Sequence, residues 1–246
     1  MEQEDYSKIY EYESMGKVYA GEKACISLTS WKARINTVSK TLYSLIKMCP
    51  GFHIVLVLSK DEFPLMEKEL PDNLMLFVEN KLIELFWIKP NLKSFKKVLF
   101  TMDKYRDVPV ISADDDCIYT CNYAQELYDA WKKSPNCVIA QSKLLPFRHL
   151  KIYGGGWGTI YPTTFIKQFK KPLCDIHFDK LSGSNDDLLY SLICFRCHIH
   201  IKTLNKQKLN QLCIYAGNDK FSITATKQAT NSKQYNSYCS FIKDFI

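Results

Sequence analysis

The stretch Val108-Pro-Val-Ile-Ser-Ala-Asp-Asp-Asp-Cys-Ile-Tyr119 joins a short apolar run to three consecutive carboxylates, Asp114, Asp115 and Asp116. The apolar run predicts a strand, and a strand end is a poor place to solvate three charges that repel one another. A divalent cation is the cheapest way to hold such a cluster, because hard oxygen ligands suit Mg²⁺ or Mn²⁺. Those ions keep waters and complete their shell with phosphates, so the triplet points toward a nucleotide or nucleotide-sugar. A solvated acidic turn is the plain alternative, and the triplet alone does not separate the two.

Working outward, the residues before the triplet alternate strand and helix. A strand is predicted at 24–28. A helix follows at 37–48, with Val38, Leu42, Leu45 and Ile46 on one face, and then a second strand at 53–58. Residues 63–70 read as a short helix, 74–78 and 85–88 as two further strands. Residues 94–105 read as a helix with Phe95, Val98, Leu99 and Met102 inward. This order predicts an α/β fold with a mostly parallel, doubly wound sheet flanked by helices. In such sheets ligands bind beyond the carboxyl ends of the strands, where the triplet lies. Residues 1–22, rich in Glu and Tyr and without a period, read as an N-terminal arm. Beyond the triplet come a helix at 122–133, a strand at 137–140, and a helix from about 184 to 197 with Ser184 or Asn185 as its cap. A late strand at 198–204 follows, and the polar C-terminal stretch shows no pattern. No repeat is visible.

The chain has 246 residues, 46% hydrophobic and 24% charged, which describes a folded globular protein rather than a disordered one. No apolar stretch approaches the roughly 18 residues that span a bilayer. The acidic, polar start is no secretory signal, so a cytoplasmic protein is expected. A net charge of +7 suits nucleic acid, an anionic membrane face or a phosphate-bearing substrate alike, and no recognisable nucleic-acid module accompanies it. Ten cysteines without an export signal read as reduced thiols. Cys194-Phe-Arg-Cys197-His198 matches the haem-attachment string but lacks the exported setting, and His200 and Cys213 make an irregular zinc partner pair. Buried cysteines at a helix end account for it better.

Two further segments bear chemistry. Tyr153-Gly-Gly-Gly-Trp-Gly158 lacks the layout of a dinucleotide fingerprint. Gly155 and Gly156 let the backbone approach a substrate, and Trp157 either stacks on a sugar ring or packs the turn. Asp186-Asp187 sits at a helix start, where the dipole alone favours acids. In the company of the triplet, a carboxylate there also suits a general base.

Taken together, Ile26-Ser-Leu-Thr-Ser30, Arg34-Ile35, Lys93-Ser-Phe-Lys-Lys97, Ser112 to Tyr119, the glycine stretch ending in Ile160-Tyr-Pro162, and Asn185-Asp-Asp187 resemble bacterial A-type (GT-A) glycosyltransferases of surface polysaccharides. The resemblance runs over roughly residues 24–200. It implies a GT-A, Rossmann-like single domain over 23–246, with a nucleotide-binding half at about 23–120 and an acceptor half at about 121–215. It implies Thr29, Ser30 and Arg34 beside the base and ribose, Lys96 or Lys97 near the diphosphate, and Asp114 and Asp115 on the donor side. Asp116, with Asp114, would hold Mn²⁺ or Mg²⁺. Asp187, or Asp186 as second choice, would be the base, and Gly155, Gly156 and Trp157 would line the acceptor. The implied activity moves a sugar from a nucleotide-sugar, a UDP-sugar first among them, to a glycan or lipid-linked acceptor. The expected course is inverting, with peripheral membrane contact compatible and no nucleic-acid partner. His177, His198 and His200 have no spacing that nominates a ligand. Trp157-Gly-Thr-Ile160 and Asn185 depart from the family pattern and leave the acceptor and the choice of base open. Two rivals remain. A sugar-phosphate nucleotidyltransferase would want a Gly-rich basic loop where Ser27 to Trp31 stands. A non-catalytic carbohydrate- or nucleic-acid-binding module would leave the triplet without a role.

Overall fold

The computed structural model describes residues 11–142, 144–153, 158–171, 173, 176, 178, 181, 185–204, 213–215 and 231–246, with the backbone path alone for 11, 213–215 and 231–233. Along the first half run β1 (Glu11–Gly16), β2 (Cys25–Thr29), α1 (Val38–Met48), β3 (His53–Ser59), α2 (Asp72–Glu79), β4 (Glu84–Lys89), α3 (Lys96–Lys104) and β5 (Val110–Ser112). β2 pairs in parallel with β3 on one side and β5 on the other, and β4 extends the sheet beyond β3. The chain thus steps outward from β2 to β4 and then returns to the other side of β2. In open α/β sheets such a reversal, here past the carboxyl ends of β2 and β5, is where ligands bind.

Burial explains why these segments are strands. All seven positions of β3 are buried, and its side chains alternate between two cores. Val55 and Val57 pack with Val98, Leu99 and Met102 of α3, while Ile54, Leu56 and Leu58 pack with Val38, Leu42 and Leu45 of α1. A strand covered on both faces shows an unbroken apolar run.

Two expectations are corrected here. Leu74 to Val78, read as a strand, lies within α2. Leu74 and Val78 are buried while Leu76 is 55% exposed, which is the spacing of a helix face. An unbroken apolar run has no period of its own, and two parallel neighbours, β3 and β4, need a crossover between them. Within the segment read as an arm, β1 pairs antiparallel with β4 as an edge strand, with the Tyr12 ring 5.9 Å from Phe86 and 5.6 Å from Phe100.

The second half adds β6 (Cys117–Tyr119), α4 (Tyr123–Lys132), β7 (Val138–Ala140), β8 (Leu145–Phe147), β9 (Leu150–Ile152), β10 (Thr159–Tyr161), α5 (Asp186–Arg196), β11 (Ile201–Thr203), β12 (Cys213–Tyr215) and α6 (Asn231–Phe241). β10 runs antiparallel between β5 and β7, and β11 lies parallel to β7, completing an eight-stranded sheet. β8 and β9 form a hairpin, and β12 pairs with β6. Gly158 enters β10 at φ +98°, and a Cβ there would come within 2.6 Å of the Tyr123 ring, so only glycine fits. α6 falls in the stretch where no pattern was legible. Its Tyr238 is fully buried and accepts the Asn185 backbone N–H at 3.3 Å, placing the C-terminal segment against the start of α5. No helix among the described residues is long and apolar enough to cross a membrane.

Candidate active site

The chain turns as soon as β5 ends. The Ala113 N–H bonds the Ser27 carbonyl of β2 at 3.0 Å, and the Asp114 N–H donates to the Tyr119 hydroxyl at 3.1 Å. Thr41 of α1 donates its hydroxyl to the Asp115 carbonyl at 3.0 Å. Held from three elements, the turn sends its carboxylates in different directions. Asp115 is 2% exposed; it accepts from Ser30 Oγ at 2.6 Å and faces Arg34 Nη2 at 2.9 Å. Asp116 faces Arg34 Nη1 at 2.7 Å, so the guanidinium fork spans both neighbours. Asp114 faces Lys97 Nζ at 2.8 Å. Arg34 and Lys97 thus already offset the charge of the triplet, so its fold does not require the cation that the sequence suggested as the cheapest partner. Burial pushes the Asp115 carboxyl up to about 6 against the pull of Arg34 and Ser30, and Asp116 and Asp114 add to the rise.

Lys97 lies in the first turn of α3 with its side chain 7% exposed. The Ser27 hydroxyl of β2 bonds the Lys97 carbonyl and lies 2.7 Å from the Thr101 hydroxyl, which fixes α3 on the sheet. Its Nζ meets Asp114 at 2.8 Å and Asp186 at 3.0 Å. Burial alone would lower an ammonium pKa, yet Asp114, Asp186 and Asp187 reverse that and hold Lys97 well above its ordinary value. Asp186 opens α5, where the Asn185 side chain accepts the Leu188 N–H at 3.0 Å, the bond expected of an N-cap. Tyr190, one turn on, donates its hydroxyl to the Phe95 carbonyl at 3.0 Å. One ammonium therefore joins the end of β5 to the start of α5. Asp187 is partly exposed, and its charge acts on Lys97 and on the buried Tyr161.

Thr29 ends β2 with its hydroxyl donating to the Val57 carbonyl at 2.7 Å. Lys96 points away from its neighbour, with Nζ on Glu62 at 3.2 Å and Asn91 at 3.0 Å. Burial draws its pKa down, with Glu62 opposing. Of the two lysines, Lys97 is the one that reaches the triplet. Gly155, Gly156, Trp157 and His177 lie outside the described residues. His198 and His200 follow the far end of α5. Cys194 is a buried thiol pushed up to about 12 by burial, as a structural cysteine should be. Thr41, Tyr119 and Tyr190, which fasten the site, were not anticipated. Single hydroxyl residues within apolar stretches carry no sequence signal of the loop they hold.

The donor set fits a cation that arrives with a ligand. Asp114 and Asp116 side chains are 38% and 19% exposed, while Asp115 is turned inward. Among the described residues no group of three His, Cys, Asp or Glu side chains stands ready to enclose an ion. Mg²⁺ and Mn²⁺ sites of the phosphate-handling kind use one or two carboxylates and take the rest from phosphate and water. Two carboxylates is what this turn offers.

No family model matches the chain, and no curated protein matches it in sequence. Solved structures do match. A mannosyltransferase from Pyrobaculum calidifontis, in complex with GDP-Man and Mn²⁺, superposes with a TM-score of 0.53 at 12% identity over 86% of this chain, which spans 61% of that one. A 4-diphosphocytidyl-2C-methyl-D-erythritol synthase from Anaerococcus prevotii matches with a TM-score of 0.48 at 15% identity, covering 81% of this chain and 94% of that one. At such identity the first of these establishes architecture and not activity. The chain has the GT-A, Rossmann-like fold, with a mostly parallel sheet flanked by helices.

Proposed function

We propose that the protein is a metal-dependent glycosyltransferase that moves a sugar from a nucleotide-sugar, a UDP-sugar first among them, to a glycan or lipid-linked acceptor in cell-surface polysaccharide synthesis. A fold hosts many activities, so the reading rests on the site. The observation that carries it is the convergence of the Asp114–Asp116 turn and the start of α5, joined by Lys97, at the point where the strand order reverses. The mannosyltransferase of like fold, in complex with a nucleotide-sugar and Mn²⁺, adds support. The domain would include β1 and so run over 11–246 rather than 23–246, with donor residues before about 120 and acceptor residues beyond.

Thr29 and Arg34 would flank the nucleotide, with Asp114 toward the ribose. Asp114 and Asp116 would hold Mn²⁺ or Mg²⁺. When bound, that ion supplies Lewis-acid neutralisation of charge on the departing diphosphate. Lys97 adds a fixed positive charge on the same side. The acceptor oxygen bonds the anomeric carbon as the bond from that carbon to the diphosphate breaks, and the diphosphate leaves with the electron pair. The hydroxyl proton passes to a carboxylate on α5. The ion pair of Asp186 with Lys97 at 3.0 Å favours Asp187 as the base, with Asp186 as the positioning residue. A single displacement inverts the anomeric centre.

Asp187→Asn should retain donor binding by titration calorimetry and lose at least about 100-fold in transfer, the usual range for removing a general base. Asp116→Asn should lose metal-dependent donor binding instead. Normal transfer by both variants would sink the assignment.

A further inference from the structure

The chain's positive charge is not spread evenly. Residues 1–141 hold 18 Lys and Arg against 20 Asp and Glu, a net −2, while residues 142–246 hold 15 against 6, a net +9. No acid occurs between 143 and 174, or between 188 and 218. In the first half acids match cations in number, and Lys17, Lys32, Arg34, Lys60, Lys96, Lys97 and Lys104 are among those that form ion pairs. In the second half Lys167 reaches Asp107 at 3.3 Å, while Arg148, Lys151 and Arg196 pair with none of the described carboxylates and are exposed. An uncompensated cationic face calls for an anionic partner.

These cations share a surface with exposed apolar groups. Arg148 sits at the tip of the β8–β9 hairpin, its guanidinium 4.4 Å from the centre of the Tyr235 ring of α6. The adjacent His149 ring lies 4.7 Å from Phe195, in the last turn of α5. Phe195 is 49% exposed, and Leu145, on the same hairpin, 66%. Arg196 follows Phe195, and both it and Arg148 act electrostatically on Tyr235. The hairpin tip, the end of α5 and α6 thus form one basic, partly apolar face.

We propose that this face docks on an anionic lipid bilayer. A soluble polyanion, nucleic acid included, would use the arginines but has no need of a bare Leu145 beside Pro146 at an exposed strand. A bilayer uses both: headgroups attract the cations, and the apolar side chains enter the boundary beneath them. The inference does not depend on the transferase reading. The two would fit together, because α5 has 11 residues and spans about 16 Å, which sets the start of the helix a short reach above the surface.

The full chain should co-sediment with vesicles of phosphatidylcholine containing about 30% phosphatidylglycerol and stay in solution with phosphatidylcholine alone. Arg148→Gln combined with Arg196→Gln should weaken that binding about 30-fold at low salt. Leu145→Ser combined with Phe195→Ser should remove the part that survives high salt, since screening spares apolar contact. Arg148 packs on Tyr235 and Phe195 on His149, so each variant should melt somewhat below the wild type but as a folded protein, and a cooperative melt is the condition for reading its vesicle binding. Equal binding to neutral and anionic vesicles, binding to neither, or unchanged binding by both variants would overturn the proposal. Heparin capture without vesicle binding would overturn it too, by assigning these cations to a hydrophilic partner.

Discussion

At the scale of single residues, one carboxylate of the triplet behaves unlike the others. Asp115 is buried between Ser30 and Arg34, and its carboxyl is raised to about 6. A raised acid binds its proton more tightly when folded. The stability it contributes is fully present below about pH 4 and lost as pH rises through about 6, roughly 3 kcal/mol in all. Urea unfolding of the wild type at about pH 4.5 and about pH 7.5, beside Asp115→Asn, should show the wild type losing about 2 kcal/mol more across that interval. Parallel profiles would mean that Asp115 is not buried as an acid. The triplet itself was legible, because three acids after an apolar run break the local pattern. Which acid turns inward was not, since strand period does not continue through a turn. The Lys96–Lys97 choice was equally hidden. Adjacent helix positions diverge, and only the packing of α3 against β2 tells which one faces Asp114.

Secondary-structure elements read well where burial has one clear period and badly where it does not. α1 and α3 show a helical stripe, and both lie where expected. Leu74 to Val78 offers five apolar residues in a row and so no stripe, and the need for a crossover between parallel strands decided it. The two readings differ over Leu76. In a strand it would share the face of Leu74 and Val78; in α2 it faces away. Leu74→Ala should therefore cost about 2–4 kcal/mol in chemical unfolding and Leu76→Ala less than about 0.5. Similar losses at both positions would contradict the helix. β1 and α6 escaped notice for another reason. Their partners, β4 and the start of α5, lie far along the chain, and their own sequences are polar enough to pass for linkers.

For the whole molecule, the alternation of strand and helix up to the triplet sufficed for the α/β class, because each crossover constrains the next strand to run parallel. Of the strands that extend the sheet, β7 and β11 lie within the segments read as strands at 137–140 and 198–204, while β10, three residues long behind a glycine-rich stretch, was too short to carry a period and was not legible. Nor was the meeting of Asp186 with Asp114, which depends on Lys97 standing between elements that periodicity treats one at a time. The segregation of charge between the halves is plain in the sequence once counted, but its exposure is a property of the fold. The central claim is that the residues past the carboxyl ends of β2 and β5 bind a nucleotide diphosphate with a divalent cation. The most direct test is the melting temperature with UDP, GDP or CMP and their sugar conjugates, each with and without Mn²⁺, in the wild type and in Asp116→Asn. A ligand at about 100 times its Kd stabilises the native state by about 2.7 kcal/mol, enough to move the melt by several degrees. A shift with one nucleotide, dependent on Mn²⁺ and lost in Asp116→Asn, is the predicted result. No shift with any nucleotide, or the same shift in the variant, would contradict the account.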